Sequence, residues 1–273
     1  METAIDFLSL LSTGRDRSAN PEELRRRKEQ QRVEAYNATI ASDDGSGVRC
    51  ASCNGRGMIG YICEETGTFT VRYCRCHAER VTALRLKRIG LLDRSRRSTF
   101  ENFRTDSDYQ RRMKHVAQSF VENPNGWLAF FGQSGAGKTH LCTAVFTELV
   151  RRHGLEGEYL LWNADSRALK AAALDREYDL FDRYKQAQLL YVDDLFKARE
   201  GQPMSDADLR LAFELLDHRY NQRSITIISC ERSFDELKQL DQAIAGRIRE
   251  MCGDHLLSID RDDRKNLRLR SSN

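Results

Sequence analysis

Three stretches of this chain carry residue types at spacings that can do chemistry. The first is Gly132-Gln133-Ser134-Gly135-Ala136-Gly137-Lys138-Thr139, a complete G-x-x-x-x-G-K-[ST] pattern. Its glycines let backbone N–H groups turn inward around phosphate oxygens. A helix opening at Thr139-His140 would add unpaired N–H groups and a partial positive charge. Lys138 can reach β- and γ-phosphates, and the Thr139 hydroxyl can hold Mg²⁺. The second stretch lies about 50 residues further on, where Leu189-Leu190-Tyr191-Val192 runs into Asp193-Asp194. An apolar strand ending in acids is the usual complement of a phosphate loop. Asp193 is assigned to the metal and Asp194 to orienting an attacking water.

The third stretch is a cysteine cluster. Cys50-x-x-Cys53 is followed by Gly55 and Gly57, and Cys74-x-Cys76 has His77 beside it. Between the pairs, Met58 to Tyr73 alternates apolar residues with Gly60 and Gly67, which predicts a β-hairpin that brings the pairs together. Four thiolates in a tetrahedron make a closed structural Zn²⁺ site. The C-x-C half departs from the commoner C-x-x-C, so His77 can replace one cysteine as a ligand. Cys63, inside the hairpin, is not counted among the ligands. Few apolar residues surround these cysteines, so a core of free thiols is the weaker account.

The elements that must position these groups are legible around them. Trp127-Leu128-Ala129-Phe130-Phe131 is an apolar run that enters the phosphate loop, and His140 to Val150 leaves it with helical periodicity. Further strands are expected at Glu158–Trp162, Leu189–Asp193, Ser224–Ser229 and His255–Ile259. Helices are expected at Tyr109–Val121, Ser166–Gln188, the segment capped by Ser205, and Leu240–Cys252. Strands alternating with helices imply a parallel sheet with right-handed crossovers. Glu231 falls just past the strand expected at Ser224–Ser229. Phe100 and Phe103, upstream, either wall a base pocket or pack into the core.

Ahead of this core the sequence is more polar. Pro21 to about Thr39 is a charged helix, capped by Ser18 or Asn20, and is read as solvated rather than docked. Ser42 to Gly47 reads as a linker. Glu79 to Ile89 is a basic helix followed by Arg94, Arg96 and Arg97. This stripe either tracks a phosphate backbone or is a solvated face. The boundaries that follow are an arm at 1–47, a zinc-binding module at 48–78, a basic connector at 79–98 and a nucleotide domain at 99–273.

Composition excludes some classes. Charged residues make up 31% of the 273 and hydrophobic ones 40%, and no apolar run reaches membrane-spanning length. Met1 to Leu11 lacks the basic start and small-residue cleavage site of a secretory leader. A cytoplasmic protein without membrane contact is expected. The formal charge of +3 is too small to name a partner.

Four segments together resemble one family. They are Gln133 to Cys142, Val192 to Lys197, Phe213 to Tyr220 and Ala243 to Met251. They are similar to bacterial DnaC/DnaI-type replicative helicase loaders, over about Thr99 to Ile259, with the cysteine module nearest the DnaI and phage-encoded branch. The resemblance implies an AAA+ ATPase: a parallel five-stranded sheet between helices, here without a full C-terminal lid and preceded by a small zinc-binding module. It implies ATP with Mg²⁺ in the phosphate loop, self-association through ATPase domains, a hexameric replicative DNA helicase as partner, and single-stranded DNA. Slow hydrolysis coupled to loading follows from that role. Arg247 corresponds to an arginine finger that reaches a neighbouring subunit's nucleotide, and Arg264 to a second sensor. Glu231 stands where many members have asparagine, and an acid cannot donate to a γ-phosphate. A transposition-associated ATPase of the IstB type, acting on duplex DNA, is the alternative, and a non-hydrolysing nucleotide-gated adaptor is a third.

Overall fold

The structure, a computed structural model, describes residues 20–175, 179–197 and 204–266. Met1 to Leu11, the alternative cap Ser18 and the tail beyond residue 266 lie outside the described residues. The chain forms two compact units, one ending at Arg80 and one beginning at Val81.

In the first unit, helix α1 (Pro21–Ala38) is capped by Asn20, whose side chain accepts from the Glu22 N–H, and has proline at its first turn. Strands β1 (Met58–Ile62) and β2 (Phe69–Tyr73) form the expected antiparallel hairpin, with Met58 opposite Tyr73 and Ile62 opposite Phe69. The solvated reading of α1 holds for most of its surface but needs one correction. Glu29, Val33, Tyr36 and Asn37 are half-buried on a single stripe, at helical spacing. That stripe docks on the hairpin. The Asn37 side chain donates to the Gly60 carbonyl (2.9 Å) and accepts from its N–H (2.8 Å), and Glu29 accepts from the Phe69 N–H (2.8 Å). Tyr36 packs on Phe69, and Gly60 makes room, since a Cβ there would stand 2.8 Å from the Phe69 ring. Polar side chains satisfying backbone groups thus replace the apolar face that the sequence lacks.

The predicted linker is likewise part of this fold. Ser46 is buried, and the Arg80 guanidinium donates to Asp44 (3.1 Å), Ser46 (3.0 Å) and the carbonyls of Val48 and Gly55. Helix α2 (His77–Arg88) starts directly after Cys76, and the boundary between the two units falls within it.

In the second unit, α3 (Leu92–Arg97) and α4 (Asp108–Glu122) precede strand β3 (Trp127–Gly132) and helix α5 (Lys138–His153). Then come β4 (Gly157–Leu161), α6 (Trp162–Asp175), α7 (Asp179–Gln186), β5 (Leu189–Asp193), α8 (Asp206–Asn221) and β6 (Ile225–Cys230). The chain closes with α9 (Phe234–Leu240), α10 (Gln242–Cys252) and β7 (Leu256–Ile259). The five strands pair in parallel in the order β4-β5-β6-β3-β7. Side chains alternate between two cores, as the two-residue period of a strand requires. Trp127, Ala129 and Phe131 face one core, while Leu128 and Phe130 face the other. Both faces are covered by helices, so β3 is buried throughout. Among the described residues no helix is long and apolar enough to cross a membrane.

Three predicted boundaries shift. Trp162 opens α6 rather than ending β4, because the Asp165 carboxylate accepts the Leu161 N–H (2.7 Å) and turns the chain. The mainly helical stretch expected over Ser166–Gln188 begins earlier, at Trp162 (α6), and ends at Gln186 (α7), with residues 176–178 outside the described set. The helix expected over Leu240–Cys252 breaks at Asp241, whose side chain caps α10 through the Ile244 N–H.

Candidate functional site

The parallel sheet brings the carboxyl ends of β3, β5 and β6 side by side, where open α/β sheets bind ligands. From β3 the chain turns at Gly132, whose φ of 118° and proximity to the Ile259 carbonyl leave no room for a side chain. The loop ends at Gly137 (φ 93°), where a Cβ would stand 2.7 Å from the Phe103 ring. A cavity of about 220 Å³ is lined by Ser134, Gly135, Gly137, Lys138, Thr139, His140, Asp194 and Glu231.

Every acid and cation in this cleft has a defined partner. Lys138 Nζ donates to the carbonyls of Gly132 (2.6 Å) and Gln133 (2.8 Å), and burial lowers its pKa against the pull of Glu231 and Asp194. Asp193 is buried, and its two oxygens are fully engaged. Oδ1 accepts from the hydroxyls of Thr139 (3.0 Å), Tyr191 (2.7 Å) and Ser229 (2.6 Å). Oδ2 accepts from Arg94 (2.7 Å) and Tyr159 (2.9 Å). Thr139 and Asp193, the two residues assigned to Mg²⁺, are therefore in direct contact.

Asp194 adopts φ 57°, a conformation uncommon outside glycine, and its N–H donates to Ser229 Oγ (2.9 Å). Its carboxylate meets Lys197 Nζ at 2.9 Å, and the same ammonium meets Glu231 Oε1 at 2.9 Å. Burial raises the pKa of Asp194 more than Lys197 lowers it. Burial also pushes Glu231 up, but hydrogen bonds from Lys197 and Ser134 outweigh it and leave that pKa below the ordinary value.

Other candidates fall elsewhere. The Gln133 side chain is clasped to the backbone of Asp262, donating at 2.8 Å and accepting at 2.6 Å. Asn266 lies against Gly135. The segment after β7, expected only to be too short for a lid, thus packs on the phosphate loop. Ala136 is buried, and the His140 ring bonds the Thr99 carbonyl (2.8 Å) beside Phe103. Phe100 and Phe103 belong to the core cluster of Leu86, Leu91 and Met113, which selects packing over a base pocket. Arg264 is exposed and paired with Asp262, outside the cleft lining. Arg247 is also away from its own chain's cleft. It is held by Asp217 (2.6 Å) and lies over the Phe213 and Tyr220 rings.

Sequence reasoning left out Arg94, Tyr159, Tyr191, Lys197 and Ser229. Lys197 carried a local signal, standing three residues after an acid. Arg94 had none, because its partner is 99 residues away. Several arginines of the basic stripe that contains Arg94 are paired within the protein. Arg85 bonds the Gly154 carbonyl, Arg88 pairs with Glu158, and Arg80 with Asp44. These arginines pin segments of the protein, while Arg96 and Arg97 of the same stripe are exposed.

In the first unit, the sulfurs of Cys50, Cys53, Cys74 and Cys76 all lie within 4.8 Å of one another, with Cys50–Cys74 at 3.7 Å and Cys53–Cys76 at 3.5 Å. A tetrahedron with Zn–S bonds of about 2.3 Å has edges of about 3.8 Å, so the donor set fits zinc. The Gly57 N–H donates to Cys53 Sγ (3.3 Å). His77 stays outside the group and stacks on Tyr73, as Cys63 stays outside it in the hairpin.

Comparison with known proteins agrees with this architecture. Residues 72–269 match the family described as IstB-like ATP binding protein, and the chain belongs to that family. It is 31% identical over 229 residues to the phage-like element PBSX protein XkdC of Bacillus subtilis (strain 168), covering 80% of this chain and 85% of that protein. It is 31% identical over 137 residues to the chromosomal replication initiator protein DnaA of Neisseria gonorrhoeae (strain ATCC 700825 / FA 1090), covering 48% of this chain and 26% of that one. In structure it resembles the DnaC helicase loader, with a TM-score of 0.50 at 23% identity, over 58% of this chain and 95% of that one. The second unit is thus an IstB-like ATP-binding core with the fold of the DnaC helicase loader.

Proposed function

We propose that this IstB-like ATP-binding protein is an ATPase that loads a hexameric replicative helicase onto single-stranded DNA in the cytoplasm. The observation that carries the reading over its transposition-type alternative is the four-cysteine unit. Cys50 and Cys53 lie ahead of residue 72, where the match to the shared family core begins, and Cys74 and Cys76 lie just inside it. A core common to both functions does not separate them, whereas an added folded module supplies a second binding surface. The name of the initiator relative, and the motif resemblance quoted above, favour replication as the setting.

In this reading ATP lies in the cleft between Lys138, Thr139 and the loop amides of Gly135 and Gly137. Thr139 and Asp193 would hold Mg²⁺, which neutralises phosphate charge when bound. Asp194 accepts the proton of the attacking water as the water oxygen bonds to the γ-phosphorus and the bond to the bridging oxygen breaks. Arg247, outside its own cleft, serves the nucleotide of a neighbouring subunit, so that ATP favours assembly and hydrolysis favours release. Arg264 takes the second-sensor role only by leaving Asp262. Cys50, Cys53, Cys74 and Cys76 would hold Zn²⁺, which closes the small unit as a structural ion. That unit contacts the helicase, and the ATPase domain contacts single-stranded DNA.

The test is co-purification with the replicative helicase of the same cell, with and without ATP, for the wild type, Lys138→Ala, and Cys50→Ser with Cys53→Ser. The wild type should form an ATP-sensitive complex, Lys138→Ala should lose that sensitivity, and the cysteine variant should lose the complex. No complex under any condition would move the assignment to the transposition-type ATPase.

A further inference from the structure

We propose that Lys197 is the γ-phosphate ligand of this cleft, held ready by Glu231 and Asp194. The proposal rests on the nucleotide reading of the cleft and gives a role to Lys197, the last residue of the Val192–Lys197 segment.

The argument starts from charge. Two carboxylates, Asp194 and Glu231, line the same cavity as Lys138. A polyphosphate brought there meets two anions that can accept but never donate once ionised. One ammonium lies between them, 2.9 Å from Asp194 Oδ2 and 2.9 Å from Glu231 Oε1, so the two oxygens are within twice that distance of each other. Lys197 is therefore the group that makes the acidic side of the cleft tolerable to phosphate.

Position supports the same conclusion. Asp194 follows the last residue of β5, and Glu231 follows the last residue of β6. The Gly132 N–H, at the start of the loop, donates to the carbonyl of Arg232, the residue after Glu231 (2.8 Å). Lys197 is held near the loop by the turn in which its N–H donates to the Asp194 carbonyl (2.9 Å). Its side chain is one-third exposed and has three donors. Two are engaged by the carboxylates, and the third is available to a phosphate oxygen without breaking either pair. Lys138, by contrast, is bound to the loop's own carbonyls. Lys138 comes from α5, and Lys197 from the segment after β5, beside the cleft-lining Asp194 and Glu231.

A lysine that only pairs two acids would affect ATP and ADP alike. A γ-phosphate ligand would affect only ATP. The experiment compares the affinity of a non-hydrolysable ATP analogue and of ADP, each with Mg²⁺, for the wild type, Lys197→Ala, Glu231→Gln and the double variant. Lys197→Ala should weaken the analogue at least tenfold and ADP less than threefold, the loss of one charge-assisted hydrogen bond to a phosphate. In the double variant, Glu231→Gln removes one anion and offers an amide N–H at the same place, so at least half of the lost preference, on a logarithmic scale, should return. Equal weakening of both nucleotides, or no weakening, would overturn the role of Lys197 while leaving the nucleotide site intact. Failure of the wild type to bind either nucleotide would overturn the nucleotide reading and this proposal with it.

Discussion

Arg94 offers the sharpest test of how the metal side of the cleft is built, because removing it should change stability and metal affinity in opposite senses. The Asp193 carboxylate is 2% exposed and accepts five hydrogen bonds, of which Arg94 supplies the charged one. Breaking a buried ion pair from one side costs about 3–5 kcal/mol, and an exposed pair is worth about 0–1 kcal/mol. Arg94 keeps 39% of its side-chain surface in solvent, so solvent screens its half of the pair. Four hydroxyl donors also remain on Asp193 after it is removed. An intermediate cost of about 2 kcal/mol is expected for Arg94→Ala. For a unit of this size each kcal/mol shifts Tm by about 2–4 °C, so the fall should be about 4–8 °C without nucleotide.

The same ion pair stands between Asp193 and a metal ion. A cation that takes Oδ2 has to displace the guanidinium, and Arg94→Ala removes that cost. Two kcal/mol corresponds to about a 30-fold lower Mg²⁺ concentration for half-saturation. The assays are scanning calorimetry without nucleotide and a Mg²⁺ titration of ATP-analogue binding, with Arg94→Lys as the variant that keeps charge but loses the planar fork. A lower Tm with an unchanged or raised Mg²⁺ requirement would refute the competition. An unchanged Tm would refute the weight given to the ion pair itself.

Three further outcomes are expected. Chelation of zinc should unfold the first unit, raising four thiols to reactivity and abolishing its protease resistance, because the three buried cysteines and their neighbours are nearly all of its core; unchanged circular dichroism and proteolysis would contradict a structural ion. Gly60→Val should weaken docking of α1 by about 1–3 kcal/mol, since the new Cβ meets the Phe69 and Tyr36 rings at 2.8 and 3.0 Å, read as faster amide exchange over residues 29–37. Acid should release the same helix: the Phe69 N–H lowers the Glu29 pKa against desolvation, so the stabilisation is full above the ordinary carboxylate pKa and is lost as pH falls through the lowered one, which exchange of the Phe69 amide would follow.

What the sequence made legible was whatever depends on local spacing. The phosphate loop, the acid-terminated strand and the paired cysteines are each set by a few neighbouring residues, and the structure brings each set together. The sheet was legible because a buried strand is apolar throughout, as in Trp127 to Phe131. What failed was whatever depends on polar docking. Helix α1 has no apolar face, so its seat on the hairpin rests on Asn37 and Glu29 meeting backbone groups, a device that leaves no periodic signal. Ser46 looked like linker sequence because a serine–glycine run reads the same whether it is solvated or wrapped around Arg80. Arg94 looked like one arginine among several because its carboxylate is far away in sequence.

These failures share a cause that bears on mechanism. Arginines 80, 85, 88 and 94 form a basic run in sequence, yet each ends on a different acid or carbonyl, and the last of them ends on the proposed metal acid. Charges in the cleft follow the same rule: Lys138 holds loop carbonyls, Lys197 bridges two carboxylates, and Arg94 covers Asp193. In the proposed reading, Lys138 and Arg94 make way for phosphate and metal by exchanging partners rather than by leaving a bare positive hole. The exchanging side chains, Lys138 and Arg94, are carried by α5 and α3, while Lys197 keeps both carboxylates and offers its third donor. The α3 exchange involves a helix that lies outside the sheet and is tied to it through the bonds of Arg94 to Tyr159 and Asp193. Metal binding at Asp193 would therefore loosen α3, and a partner that immobilises α3 would in turn oppose metal binding by the same free energy. Measuring Mg²⁺ affinity with and without a bound partner would give that coupling directly, and in Arg94→Ala the coupling should vanish.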